Sequence, residues 1–175
     1  MIRLKDMLSE LLDPTTGEQY ELQGPKTSSF TFNDRSTEKS YVWTYKNRKG
    51  QKMDITITFE TEEGGKNPKM ILAFGVANKD TLSKYGKMTG AGDLKTILRT
   101  LIGAAEQVID AELGGDKQSL MAVGFEPSDD RRKRIYDYFI QNNFGQFKPV
   151  TDKEEMRSLR LNQHFDWYVN ANYKA

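Results

Sequence analysis

Apolar positions along this chain change their period twice. Between residues 2 and 12, Leu4, Leu8, Leu11 and Leu12 fall at helical spacing with Met7 beside them, which predicts an amphipathic helix. Asp13-Pro14 ends it, because proline disfavours helical geometry in the residue before it. A connection rich in turn formers follows over 15–26. The period then shortens to two. Phe30 and Phe32 alternate with hydroxyl residues over 28–33, Tyr41, Trp43 and Tyr45 share one side of 39–45, and Ile55, Ile57 and Phe59 alternate with threonine over 53–59. Asn47-Arg48-Lys49-Gly50 joins the last two runs as a hairpin turn. A mostly apolar run over 70–77 predicts a strand inside a sheet.

Beyond residue 77 the helical period returns. Leu94, Ile97, Leu98, Leu101, Ile102, Ala105, Val108 and Ile109 keep one stripe for about four turns, and Gly114-Gly115 closes the helix. A short apolar strand is predicted over 119–125. Ser128 caps a second helix whose buried stripe is Ile135, Phe139 and Ile140. The tail holds 146–150, a short helix over 152–159 and a closing strand over 164–170. The predicted class is α+β, a mixed and mainly antiparallel sheet with packed helices. With 175 residues and no long linker or repeat, one domain spans 1–175. Its parts are a helix and connection (1–27), a β-meander (28–77), a helix-strand-helix unit (78–145) and C-terminal strands (146–175).

Composition narrows the chemistry more than it suggests any. Nine Phe, eight Tyr and two Trp supply core-forming bulk that disordered chains lack. Twenty-six basic residues against 25 acidic ones leave a formal net charge of +1, which argues against a nucleic-acid binder working by phosphate neutralisation. With no cysteine, disulfides, thiolate metal sites and cysteine nucleophiles are excluded. No apolar run reaches the roughly 20 residues of a membrane span, and the first twelve residues carry acids and no cleavage pattern, so neither membrane anchor nor signal peptide is expected. His164 is the single histidine, without metal-ligand spacing or a nucleophile elbow, so no metal site or hydrolytic triad is expected.

Two stretches carry a family resemblance. Lys87-Met88-Thr89-Gly90-Ala91-Gly92 lies between a strand and the long amphipathic helix. Arg134-Ile135-Tyr136-Asp137-Tyr138-Phe139 is followed by Asn143-Phe144-Gly145. Over roughly 70–145 the chain resembles the GNAT (acetyltransferase-like) family. That family places Gln or Arg, two residues, Gly, one residue and Gly or Ala at the first point. Gly90 and Gly92 match the glycines, and Lys87 stands where Gln or Arg is usual. The second stretch is similar to the family's later helix, with Tyr136 at the tyrosine that serves as general acid toward a leaving thiolate. Phe144-Gly145 reverses the family's Gly-Phe order. The strand at 119–125 sits where the family's splayed strand is found. The chain also resembles tailed-phage proteins of accessory or virion role, which implies a phage or host protein partner and a place in the host cytoplasm or the virion.

The resemblance implies an acetyl-CoA site at Lys87, Thr89, Gly90, Ala91, Gly92 and Asp93, because a helix N-terminus offers free N–H groups and glycines admit a pyrophosphate. The plain alternative is a strand-to-helix connection in which Asp93 is an N-cap and repels phosphate. Tyr136 reads either as that general acid or as a core tyrosine. The run Arg131-Arg132-Lys133-Arg134 points around a helix and, with Asp129 and Asp130 before it, reads as a solvated face. The row Tyr41, Trp43, Tyr45 reads as a core face rather than a base-stacking platform. The expected function is binding without catalysis and without a cofactor, the alternative an acetyl-CoA-dependent N-acetyltransferase.

Overall fold

The structure is a computed structural model that describes residues 19–76, 94–126 and 130–174, without the side chains of Val76, Leu94, Lys95, Asp130, Arg131, Arg132, Arg134, Ile135 and Tyr138. The helix expected over 2–12, the glycine loop and Ser128 lie outside these residues.

Four strands form an antiparallel meander: β1 (Gln23–Thr31), β2 (Thr37–Lys46), β3 (Lys52–Thr61) and β4 (Lys69–Val76). Helix α1 (Leu94–Leu113) leads to β5 (Ala122–Phe125), α2 (Asp130–Asn143) to β6 (Phe147–Val150), and the short α3 (Lys153–Ser158) to β7 (Asp166–Asn170). Among the described residues the seven strands make one sheet, in the order β1-β2-β3-β4-β5-β7-β6. Only β4 and β5 pair in parallel; every other neighbouring pair is antiparallel. The class is therefore α+β with a mixed, mostly antiparallel sheet.

Period-two alternation becomes burial in β3. Met53, Ile55, Ile57 and Phe59 are buried, while the threonines between them stand half-exposed on the opposite face. Trp43 pairs with Ile55 and Tyr45 with Met53, so these two rings of the aromatic row are core, and the half-buried Tyr41 packs against that core. What packs with it is α1, through Ile97, Leu98, Leu101, Ala104, Ala105, Val108 and Ile109. Phe139, Ile140 and Tyr136 of α2 belong to the same cluster. The opposite face carries a smaller cluster of Ile71, Met121, Ala122, Val150 and Trp167, closed by Met156 of α3 and Leu161 after it. The far end of α1 is tied to the sheet by Glu112, which accepts from Lys39 at 2.8 Å and from the Tyr41 hydroxyl. Burial and then that bond push the Tyr41 phenol up to about 12.

Two expectations need correction. The run at 28–33 was expected as a strand, and its strand instead starts at Gln23 and stops at Thr31. The residues 23–26 join the sheet because Gly24, at φ +119°, lets the chain pass where a Cβ would lie 2.9 Å from the Val42 carbonyl oxygen. All of β1 is exposed, and Phe30 and Phe32 rest on one another, ring centroids 4.8 Å apart. Alternation there marks an edge strand that no helix covers among the described residues. The strand expected over 119–125 is shorter, since Asp116 caps a 3-10 turn over Lys117–Ser119 and only Ala122–Phe125 pairs. Smaller shifts at 152–159 and 164–170 are end effects of one or two residues.

One cross-strand pair is unfavourable. Glu38 sits directly opposite Glu60, and Glu60 opposite Lys69. Burial, and then the Glu38 charge, raise the Glu60 carboxyl above its ordinary 4.5, with Lys69 opposing. A carboxyl raised in the folded state gives stability at low pH that is lost as pH climbs through the raised value. Glu38→Lys should therefore add about 0.2–1 kcal/mol at neutral pH and flatten that decline. Thermal melts of both proteins across the acid range measure it, and an unchanged pH slope would refute it.

Candidate functional site

A strand-helix-strand unit with parallel strands has its helix running back against them, so α1 begins at the pole where β4 and β5 end. In open sheets with such crossovers, ligands bind outside the carboxyl ends of the strands. The two strands share four positions, from Lys69 opposite Ala122 to Leu72 opposite Phe125. There β5 stops. β4 continues to Val76, paired on its β3 side with Met53, Asp54, Ile55 and Thr56. The sheet thus opens between β4 and β5 at this pole.

Several functional groups gather beside the opening. Phe125 ends β5, and Tyr136 of α2 stacks on it with centroids 4.4 Å apart and planes 13° from parallel. Tyr136 is 8% exposed and belongs to the main core cluster. One turn of α2 also presents Asp137, which accepts from the Tyr168 hydroxyl at 2.5 Å. Burial, then that bond, hold the Tyr168 phenol far above the usual range. Asp166 lies opposite Phe125 in the register. Burial raises its carboxyl, Lys133 lowers it, and Asp137 raises it again.

Glu126 follows Phe125 directly. Its Oε2 is buried and has no hydrogen-bond partner among the described residues, and burial raises its carboxyl. Such a carboxylate is a better proton acceptor near neutral pH than a solvated one. Together the cluster offers a proton-accepting carboxyl, a clamped tyrosine–aspartate pair and an aromatic wall.

Of the residues expected from sequence, Tyr136 reaches this pole. Lys87, Thr89, Gly90, Ala91, Gly92 and Asp93 lie outside the described residues, immediately before α1. Lys133 is the one member of the basic run with a described side chain, and it faces the Asp166 charge. His164 is exposed two residues before β7 begins, its backbone N–H donating to Asn162 Oδ1 at 3.0 Å. Sequence reading passed over Glu126, Asp137, Asp166 and Tyr168. An acidic residue directly after an apolar strand was the available signal for Glu126; the other three depend on β7 lying beside β5.

Among the described residues no group of three or more His, Asp or Glu is arranged to hold a metal ion, and no helix is long and apolar enough to cross a membrane. No protein-family model, curated protein or solved structure matches the chain.

Proposed function

We propose that the chain is a GNAT-like scaffold used for binding without catalysis, in an accessory or virion-associated phage role with a phage or host protein as partner. The parallel β4–β5 pair, with α1 between the two strands in the chain, supports the scaffold part of this reading. The phage assignment rests on the resemblance in sequence. Tyr136 is the observation that carries the absence of catalysis. The side chain that would serve as general acid packs face to face on Phe125 inside the core, where its ring does structural work. Fold alone does not imply activity.

A second reading, an acetyl-CoA-dependent N-acetyltransferase, is favoured by Glu126, whose Oε2 is buried without a hydrogen-bond partner among the described residues and would in that reading take the amine's proton. In that reading Lys87 and the amides from Thr89 to Asp93 would hold the pyrophosphate, and Tyr136 would protonate the departing thiolate.

Titration with acetyl-CoA while following thermal unfolding separates the two, since a ligand of the folded state raises the melting temperature. The binding reading expects no shift at large excess, and expects the chain among the proteins of purified virions or bound to a partner from infected cells. A shift that Gly90→Glu abolishes would overturn it in favour of the enzyme.

A further inference from the structure

The pole opposite the β4–β5 opening holds a second hollow. Three non-glycine residues among those described have positive φ: Arg35 at 63°, Asn67 at 52° and Arg160 at 52°. All three come together there. Asn67, Arg160 and Glu62 line a cavity of about 440 Å³ together with Met121, Leu159, Val169 and Tyr173. Arg160 also borders an adjoining hollow of about 300 Å³ whose rim includes Glu63, the residue that Arg35 grips at 2.6 Å. Non-glycine residues held in this region of backbone space are strained, and such strain gathers at binding sites.

Arg160 is the most informative of them. It follows α3 at the position where a helix usually ends on glycine. Leu161 N–H reaches Met156 O at 2.8 Å and Arg160 N–H reaches Arg157 O at 3.1 Å, the pair of bonds that closes such an end. Glycine would adopt this turn without strain, so an arginine here has a cost that the turn itself does not repay. Its side chain is 75% exposed and touches Glu62 through one Nη at 3.5 Å. Glu62 is meanwhile within 3.8 Å of the buried Lys69 ammonium, which also donates to the Arg160 carbonyl at 3.0 Å. Lys69 thus offsets Glu62 and pins the Arg160 backbone. The guanidinium is left at a cavity of mixed apolar and polar lining that Glu62 shares, in a rim where Asp34 and Lys66 oppose one another in sign.

We propose that this cavity binds a carboxylate carried on a compact apolar group, with Arg160 taking the carboxylate by its fork and the Met121, Leu159, Val169 and Tyr173 surfaces taking the apolar part. A planar guanidinium and a carboxylate match in two parallel hydrogen bonds, a better partnership than the single long contact to Glu62. The site is independent of the β4–β5 opening and of any role for Tyr136.

Two probes separate the sources of such a group: 4-methylpentanoate for a small acid, and a tetrapeptide ending in leucine for a peptide end. The full chain, labelled with ¹⁵N, is titrated with each. Saturable shifts are expected at the amides of Met121, Val169 and Tyr173, and the tighter of the two probes names the source. Amidating the peptide carboxyl, or replacing Arg160 by glycine, should weaken binding about tenfold or more, as loss of a charge-assisted pair does. Arg160→Lys keeps the charge without the fork and should fall between. Arg160→Gly should melt no lower than the parent, because it relieves the turn, so lost binding in that variant is not lost folding. Equal binding of acid and amide, full binding by Arg160→Gly, or no saturable shift with either probe would overturn the proposal.

Discussion

Phe125→Ala is expected to lower the unfolding free energy by about 3–5 kcal/mol, the range for truncating a fully buried phenylalanine. Phe125 is 1% exposed at the end of β5. It stacks on Tyr136 of α2 and meets Phe139 and Tyr168 edge-on, at centroid distances of 5.8 and 5.9 Å. These three rings come from a helix and a strand that are themselves fixed, Tyr168 by its bond to Asp137. Collapse into the vacated volume would need α2 and β7 to shift together, so most of the cavity should remain. Denaturant unfolding measures the loss, with an unchanged slope showing that the same surface is exposed. A loss below about 1 kcal/mol would mean that Phe125 is not the joint between β5, α2 and β7. Phe30→Ala is the matched control. Phe30 is 60% exposed on the edge strand, so its loss should leave stability nearly unchanged.

The second large effect concerns the residue before it. Gly124 pairs with Trp167 across β5 and β7. A Cβ at Gly124 would stand 2.9 Å from both Cε3 and Cζ3 of the indole. Trp167 is 2% exposed, and its Nε1 donates to the Asn162 carbonyl at 2.7 Å. The ring therefore has no free direction in which to retreat. Gly124→Ala should cost about 1–3 kcal/mol through overpacking. If the indole is the cause, trimming it should absorb the methyl. Gly124→Ala should then cost less in a Trp167→Leu background than in the parent, a coupling read from a double-mutant cycle. Additive costs would place the strain elsewhere.

Much of the fold was legible because its signals are local. The Met53-to-Phe59 alternation and the stripe from Ile97 to Ile109 each state their own period, and burial follows both. Asn47 marked its turn for a visible reason: its Oδ1 accepts from the Lys49 and Gln51 amides, and Gly50 takes a positive φ. Phe30 and Phe32 show where the same signal misleads. Alternation reports that a strand has two faces, and says nothing of whether anything covers either one.

The candidate site was less legible. Tyr136 was visible through its motif, yet its burial against Phe125 depends on where α2 lands. Asp137, Asp166 and Tyr168 carry no motif. They meet because β7 inserts between β5 and β6, a long-range choice made by packing. The hollow at Arg160 likewise unites the turns after β1 and β3 with the end of α3.

Residue order alone dictates a meander, a long amphipathic helix and a shorter mixed tail, because the period of apolar residues is read by the nearest few neighbours. Long-range packing sets which strands adjoin, that α1 covers the aromatic row, and which acids and tyrosines share a pole. Those outcomes come from matching apolar faces separated by tens of residues, and no short stretch of the chain holds both sides of the match.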